Sequence, residues 1–182
     1  MTIYLFRNKL VTKSPVGLVE KISEEGVFSD FTILSEEDRR FPCHRNILAA
    51  KSTVFKAMMT SEMKKENEHK LQESTQVVEA FVRWFYKGEV SSEVMEANLS
   101  TYVRLADYYD LDAMKAQAED AAIACLTLEN VVEMFSLANL YNAGVLKEAT
   151  EIFIEEKKED IGKQDLSHVP TNIRTELSKL LN

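Results

Sequence analysis

Hydrophobic positions recur along this chain at two spacings, and the change from one to the other divides it. Near the start the spacing is that of strands. Phe28-Ser-Asp-Phe-Thr-Ile-Leu34 is rich in aromatic and β-branched residues. Ser35-Glu-Glu-Asp38 is a polar turn, and Arg39-Arg-Phe-Pro-Cys-His44 is the returning strand of a predicted hairpin. Pro42 has no N–H to give a ladder, which predicts an edge position or a strand end. Thr2-Ile-Tyr-Leu-Phe6 also has strand propensity. Between these stretches, Ser14-Pro15 offers an N-cap followed by proline at the first helical position. Leu18, Val19 and Ile22 make one apolar face of that helix, and Gly26 ends it.

From Asn46 the spacing becomes helical. Ile47, Leu48, Ala49 and Ala50 predict a short helix, and Ser52 can cap a second one that buries Val54, Phe55, Met58 and Met59. Residues 60–70 are strongly polar and predict a helix end followed by an exposed loop, with Leu71-Gln-Glu73 as a very short strand. Helical stripes follow at Val77, Val78, Phe81, Val82 and Phe85 (stopped by Gly88), at Leu99, Val103, Ala106 and Tyr109, and at Leu111, Met114, Ala118, Ala121, Ala122 and Cys125. Thr127 is a candidate cap for a helix carrying Val131, Met134, Phe135, Ala138 and Tyr141. After a break at Asn142-Ala-Gly144 come Val145, Leu146, Ala149, Ile152 and Phe153, and Ile173 to Leu181 predict a last short helix beyond Pro170. No tandem repeat and no Gly/Ser- or Pro-rich linker interrupts this order. The one composition shift lies near residue 126, after which only helix pairs are expected.

With 182 residues, 45% of them hydrophobic and 29% charged, the chain suits one globular domain with a small appended piece. No apolar run approaches the ~20 residues of a membrane span. The formal net charge of −8 argues against nucleic acid and against a membrane surface as partners. Two widely separated cysteines, Cys43 and Cys125, and an N-terminus without a signal-peptide core lead us to expect a nuclear or cytoplasmic location.

Chemistry is sparse. The five glycines, at 17, 26, 88, 144 and 162, are too scattered to build a phosphate-cradling loop. A structural zinc site takes four ligands, usually as close pairs, and Cys43-His44 is the only close pair. Neighbours on a strand point to opposite faces, so no metal site is expected. A Cys/His nucleophilic pair is open on spacing alone, but Cys43 suits a small buried apolar group better. Runs such as Glu155-Glu-Lys-Lys-Glu-Asp160 are solvated helix faces. No catalytic residue and no cofactor is assigned, and an enzyme is the minority reading.

Three segments carry a resemblance: Ser29-Asp30-Phe-Thr-Ile-Leu34, then Phe41-Pro-Cys-His44-Arg45-Asn-Ile-Leu48-Ala49-Ala50-Lys-Ser52-Thr-Val-Phe55-Lys-Ala-Met58-Met59, then Phe85-Tyr86-Lys-Gly88. Together they resemble a BTB/POZ domain, and Leu105-Ala-Asp-Tyr-Tyr109-Asp-Leu111 resembles a later helix of that family. The resemblance divides the chain into an N-terminal segment 1–14, a BTB/POZ domain over 15–125 and a helical C-terminal extension, BACK-like, over 126–182. That extension, with Asn130 to Tyr141, is similar to the one in the speckle-type POZ protein subgroup. The implied fold is α+β, a small sheet capped by helices with an all-helical extension.

The resemblance implies function by assembly: a homodimer that binds the N-terminal domain of cullin-3 as a ubiquitin-ligase adaptor and presents a substrate protein as yet unidentified. It places the dimer contact at Leu18, Val19 and Ile22, where an apolar stripe invites a twofold partner. It places a charged pocket at Asp30 and Arg45, with a structural ion pair as the plainer alternative. For cullin binding it implies Met63, Glu66 and Tyr109, with Met134, Leu137 and Leu140 as further contacts or as core of a helix pair. Two departures stand out. Lys65 occupies the family's acidic position, and Leu71 to Gln76 is shorter than the family's strand and turn. The alternative from another class is an oligomerisation scaffold in transcription or cytoskeletal assembly without cullin binding. No MATH-like sandwich, kelch repeat or zinc finger is visible in the chain.

Overall fold

The computed structural model describes residue 22 and residues 26–60, 67–163, 166–167 and 169–181. The predicted strand at 2–6, and all of the helix expected from Ser14 except Ile22, lie outside the described residues. The chain divides into two compact units: residues Met1–Lys51 with Phe55–Gly88, and Ser52–Val54 with Glu89–Asn182.

The first unit is built on a three-stranded sheet in the order β2-β1-β3. Strands β1 (Phe31–Leu34) and β2 (Arg40–Cys43) form the antiparallel hairpin expected from the sequence, with Phe31 opposite Cys43 and Leu34 opposite Arg40. Asp38, at φ 61°, takes the left-handed position that closes the turn, and the Ser35 N–H reaches the Arg39 carbonyl at 3.0 Å. Among the described residues β2 is an edge strand, which suits the missing donor of Pro42. Strand β3 is Glu68–Lys70 and pairs parallel to β1. The strand expected at 71–73 is therefore displaced into the stretch read as loop. Glu-His-Lys has no apolar alternation to reveal it, and only Leu71 just beyond is buried.

Helix α1 (Arg45–Lys51) follows the hairpin, and α2 spans Thr53–Thr60. Helix α3 (Thr75–Lys87) lies against α1 and both hairpin strands. Its apolar stripe of Val77, Val78, Phe81, Val82 and Phe85 is buried. Phe55 sits among Phe31, His69 and Phe85, with ring centroids 5.8–6.4 Å away and edge-to-face. Gly88 ends α3 at φ 82°, which a side chain would strain. At the other end the Glu37 carboxylate accepts both the Thr75 N–H at 2.9 Å and its hydroxyl at 2.8 Å. These hydrogen bonds lower the Glu37 pKa and tie the hairpin turn to the start of α3.

The second unit is helical: α4 (Ser92–Ala97), α5 (Leu99–Tyr108), α6 (Asp112–Ala124), α7 (Val131–Leu140), α8 (Gly144–Glu156), α9 (Lys158–Ile161) and α10 (Thr171–Leu181). Helix α5 pairs with α6 and α7 with α8, while α6 and α10 also meet α8. Val131, Val132, Phe135, Ile154, Ile161, Val169, Ile173 and Leu177 form one buried cluster. The Ser52 hydroxyl donates to the Tyr109 carbonyl at 2.6 Å. Thr127 is not the residue that flanks α7. Asn130 flanks it, and its amide bridges the Thr127 N–H and the Cys125 carbonyl, each at 2.8 Å.

Candidate interaction surfaces

His44 and Cys43, the one pair with possible nucleophilic chemistry, lie at the end of β2 and are both buried. The His44 Nε2 lies 2.9 Å from the Val27 carbonyl, which can only accept, so Nε2 carries the proton. Nδ1 then accepts the Tyr86 hydroxyl proton at 2.9 Å, and the same hydroxyl accepts the His44 N–H at 3.1 Å. Burial raises the Tyr86 phenol and pushes the Cys43 thiol up to about 12. A thiol held that firmly protonated is a poor nucleophile. The pair is a packed, hydrogen-bonded corner. Among the described residues, no group of three or more His, Cys, Asp or Glu could hold a metal ion. No described helix is long and apolar enough to cross a membrane.

Asp30 and Arg45 do meet, but chiefly through the main chain. The Asp30 carboxylate accepts the Arg45 backbone N–H at 2.8 Å, at the first residue of α1. The Arg45 guanidinium donates to the Asn67 side-chain oxygen at 2.7 Å and lies 5.1 Å from the Phe31 ring centre. Asp30 itself is exposed and Arg45 half-buried. These contacts tie the residue before β3 to β1 and α1.

The residues assigned to partner binding separate into three groups. Leu18, Val19, Met63 and Glu66 lie outside the described residues, and Ile22 is helical and half-buried. Tyr109 and Met134 are inside: Tyr109 is 2% exposed and Met134 8%. An anchor for a partner must present its side chain, which neither does in this structure. Tyr109 directly follows α5 and is buried, and the neighbouring Tyr108, 62% exposed, takes the outward position. Leu137 and Leu140 form the third group. Leu137 is half-buried and Leu140 is 68% exposed. Both line a cleft of about 510 Å³ whose walls include Tyr141, Pro170 and Ile173. The i, i+3, i+4 spacing of Leu137, Leu140 and Tyr141 could have pointed to this wall. Pro170 and Ile173 come from a distant segment and gave no such signal.

The His44–Cys43 pair is locked in packing, and the apolar cleft on α7 is a surface of the kind that a protein partner covers. A family model for the BTB/POZ domain matches residues 19–126. The chain belongs to the BTB/POZ family. It is similar to human Kelch-like protein 23, at 26% identity over 169 residues, 90% of this chain and 29% of that protein. It is also similar to mouse Kelch repeat and BTB domain-containing protein 3, at 27% identity over 143 residues, 77% of this chain and 23% of that protein. A third match is Armadillo BTB Arabidopsis protein 1 of Arabidopsis thaliana, at 28% identity over 144 residues, 78% of this chain and 19% of that protein. The chain spans less than a third of the length of each. These relatives are BTB proteins of Kelch and armadillo type, so the narrower likeness to the speckle-type subgroup gains no specific support.

Proposed function

We propose that this chain is a self-associating adaptor that binds the N-terminal domain of cullin-3 and brings a substrate protein to a ubiquitin ligase, without catalysis of its own. The observation that carries the reading is the cleft on α7: Leu137 and the exposed Leu140 form an apolar wall on the helix that the family resemblance assigns to cullin contact. Met63 and Glu66 are the other contacts in this reading. Self-association through Leu18, Val19 and Ile22 would double the number of bound cullins and raise the effective concentration of ligase at the substrate. The two free thiols suit a reducing compartment, the nucleus or the cytoplasm.

Calorimetric titration with the cullin-3 N-terminal domain tests the proposal. The expected result is one cullin per chain at micromolar affinity or tighter. Leu140→Asp and Met63→Asp are each expected to weaken binding by about 2 kcal/mol with the fold intact, as for interface hot spots. Absence of binding from a folded sample overturns the adaptor reading. Lys65 in place of an acid and the burial of Tyr109 favour the second reading, a self-associating scaffold without cullin. That scaffold would be the outcome of such a failure.

A further inference from the structure

In a chain of net charge −8, three of its seven arginines line one cleft. The cleft, about 270 Å³, lies between β2 and α3 and is bounded by Arg39, Arg40 and Arg83, with Phe41, Pro42 and Val82 as apolar lining and Glu79 beside them. Arg39 is exposed at the end of the hairpin turn, and among the described residues its guanidinium has no hydrogen bond or ion pair. Arg83 has Glu79 at 3.5 Å, an exposed pair one helical turn apart that costs little to exchange. Arg40 is paired with Glu68. Among the described residues β2 is an edge strand. Because Ser35 bonds the Arg39 carbonyl, the antiparallel alternation turns the main chain of Arg39, Phe41 and Cys43 towards β1. The N–H and C=O of Arg40 and the C=O of Pro42 face outward.

We propose that this cleft docks an extended acidic segment of a partner protein. Carboxylates of the segment pair with Arg39 and Arg83, an apolar side chain between them lies on Phe41 and Pro42, and its main chain bonds to Arg40. Pro42 limits strand addition to that one residue, so the side-chain charges set the affinity. Nucleic acid fits less well. A long polyanion meets the repulsion of the whole acidic surface, whereas a short segment meets only the local field. Arginines and proline on an edge strand also discourage unwanted pairing, but a guard of that kind alone would bind nothing. The surface shares no residue with the proposed cullin contacts and does not depend on them.

Fluorescence polarisation with a labelled Gly-Glu-Glu-Leu-Glu-Glu-Gly peptide tests this, with its Gln-for-Glu counterpart and an oligothymidine of matching charge alongside. The acidic peptide is expected to bind saturably and the Gln peptide weakly. Arg39→Glu with Arg83→Glu should weaken binding about tenfold or more, the scale of a lost charge-assisted pair. Glu79→Gln, which frees Arg83, should tighten it, and Arg174→Glu on α10 should leave it unchanged. No saturable binding, indifference to the Arg39 and Arg83 changes, or equal binding of oligothymidine would each overturn the proposal.

Discussion

The Tyr86 hydroxyl is the residue on which the His44 corner turns, since it serves both the main-chain N–H and the ring of His44. Tyr86→Phe removes both partnerships while keeping the ring. Two buried polar groups are then left unsatisfied, and a loss of about 1–3 kcal/mol of stability is expected in urea unfolding. Cys43, next to the sheet's proline, gives a pH signature. Its thiol is raised from 9.0 to about 12 by burial. Below pH 9 both states hold the proton, and the thiol adds no pH dependence. Between 9 and 12 the unfolded chain releases it first, so stability falls as pH rises. Unfolding measured from neutral pH to about 10.5 should show a shallower decline for Cys43→Ala than for the native chain. Equal slopes would mean that Cys43 is accessible to solvent.

Helix α8 begins without a side-chain cap, because Ala143 precedes it. Glu119 of α6 supplies the missing acceptor. Its buried carboxylate takes the Leu146 N–H at 2.8 Å and meets the positive end of the α8 dipole. Glu119→Ala should therefore destabilise the second unit by about 1–3 kcal/mol in thermal or urea unfolding, and Glu119→Gln by less, since the amide oxygen can still accept. An unchanged Glu119→Ala would remove this anchor from the account. Helices were the legible part of this chain, since an apolar stripe at helical spacing marks its own buried face. Strand β3 was not legible, because three polar residues join the sheet through main-chain bonds alone. Asn130 and Glu119 were not legible either, since each acts on a backbone group that the sequence pattern does not mark.

Two compact units share the chain, the second taking Ser52–Val54 as well as Glu89–Asn182, while the family match runs from residue 19 to 126. The proposed dimer is a property of the whole chain. Leu18→Asp combined with Ile22→Lys should convert a dimer to a monomer in light scattering, because charge at an apolar seam costs several kcal/mol. An unchanged mass would remove that helix from the interface. The acidic balance keeps copies apart at long range, so self-association must rest on local apolar contact.

The family, the α+β class, the hairpin with its edge proline and the stripes of the long helices follow from the amino-acid order, because they depend on local spacing and on which residues avoid water. The exposure of a given residue within a stripe does not. Val145, Leu146 and Ile152 all belong to one predicted stripe, yet Leu146 is buried and the other two are more than half exposed. That difference is set by what packs across from each helix, including segments such as Pro170 and Ile173 that lie far along the chain. The same holds for the arginine cleft, where β2 and α3 bring together side chains some forty positions apart.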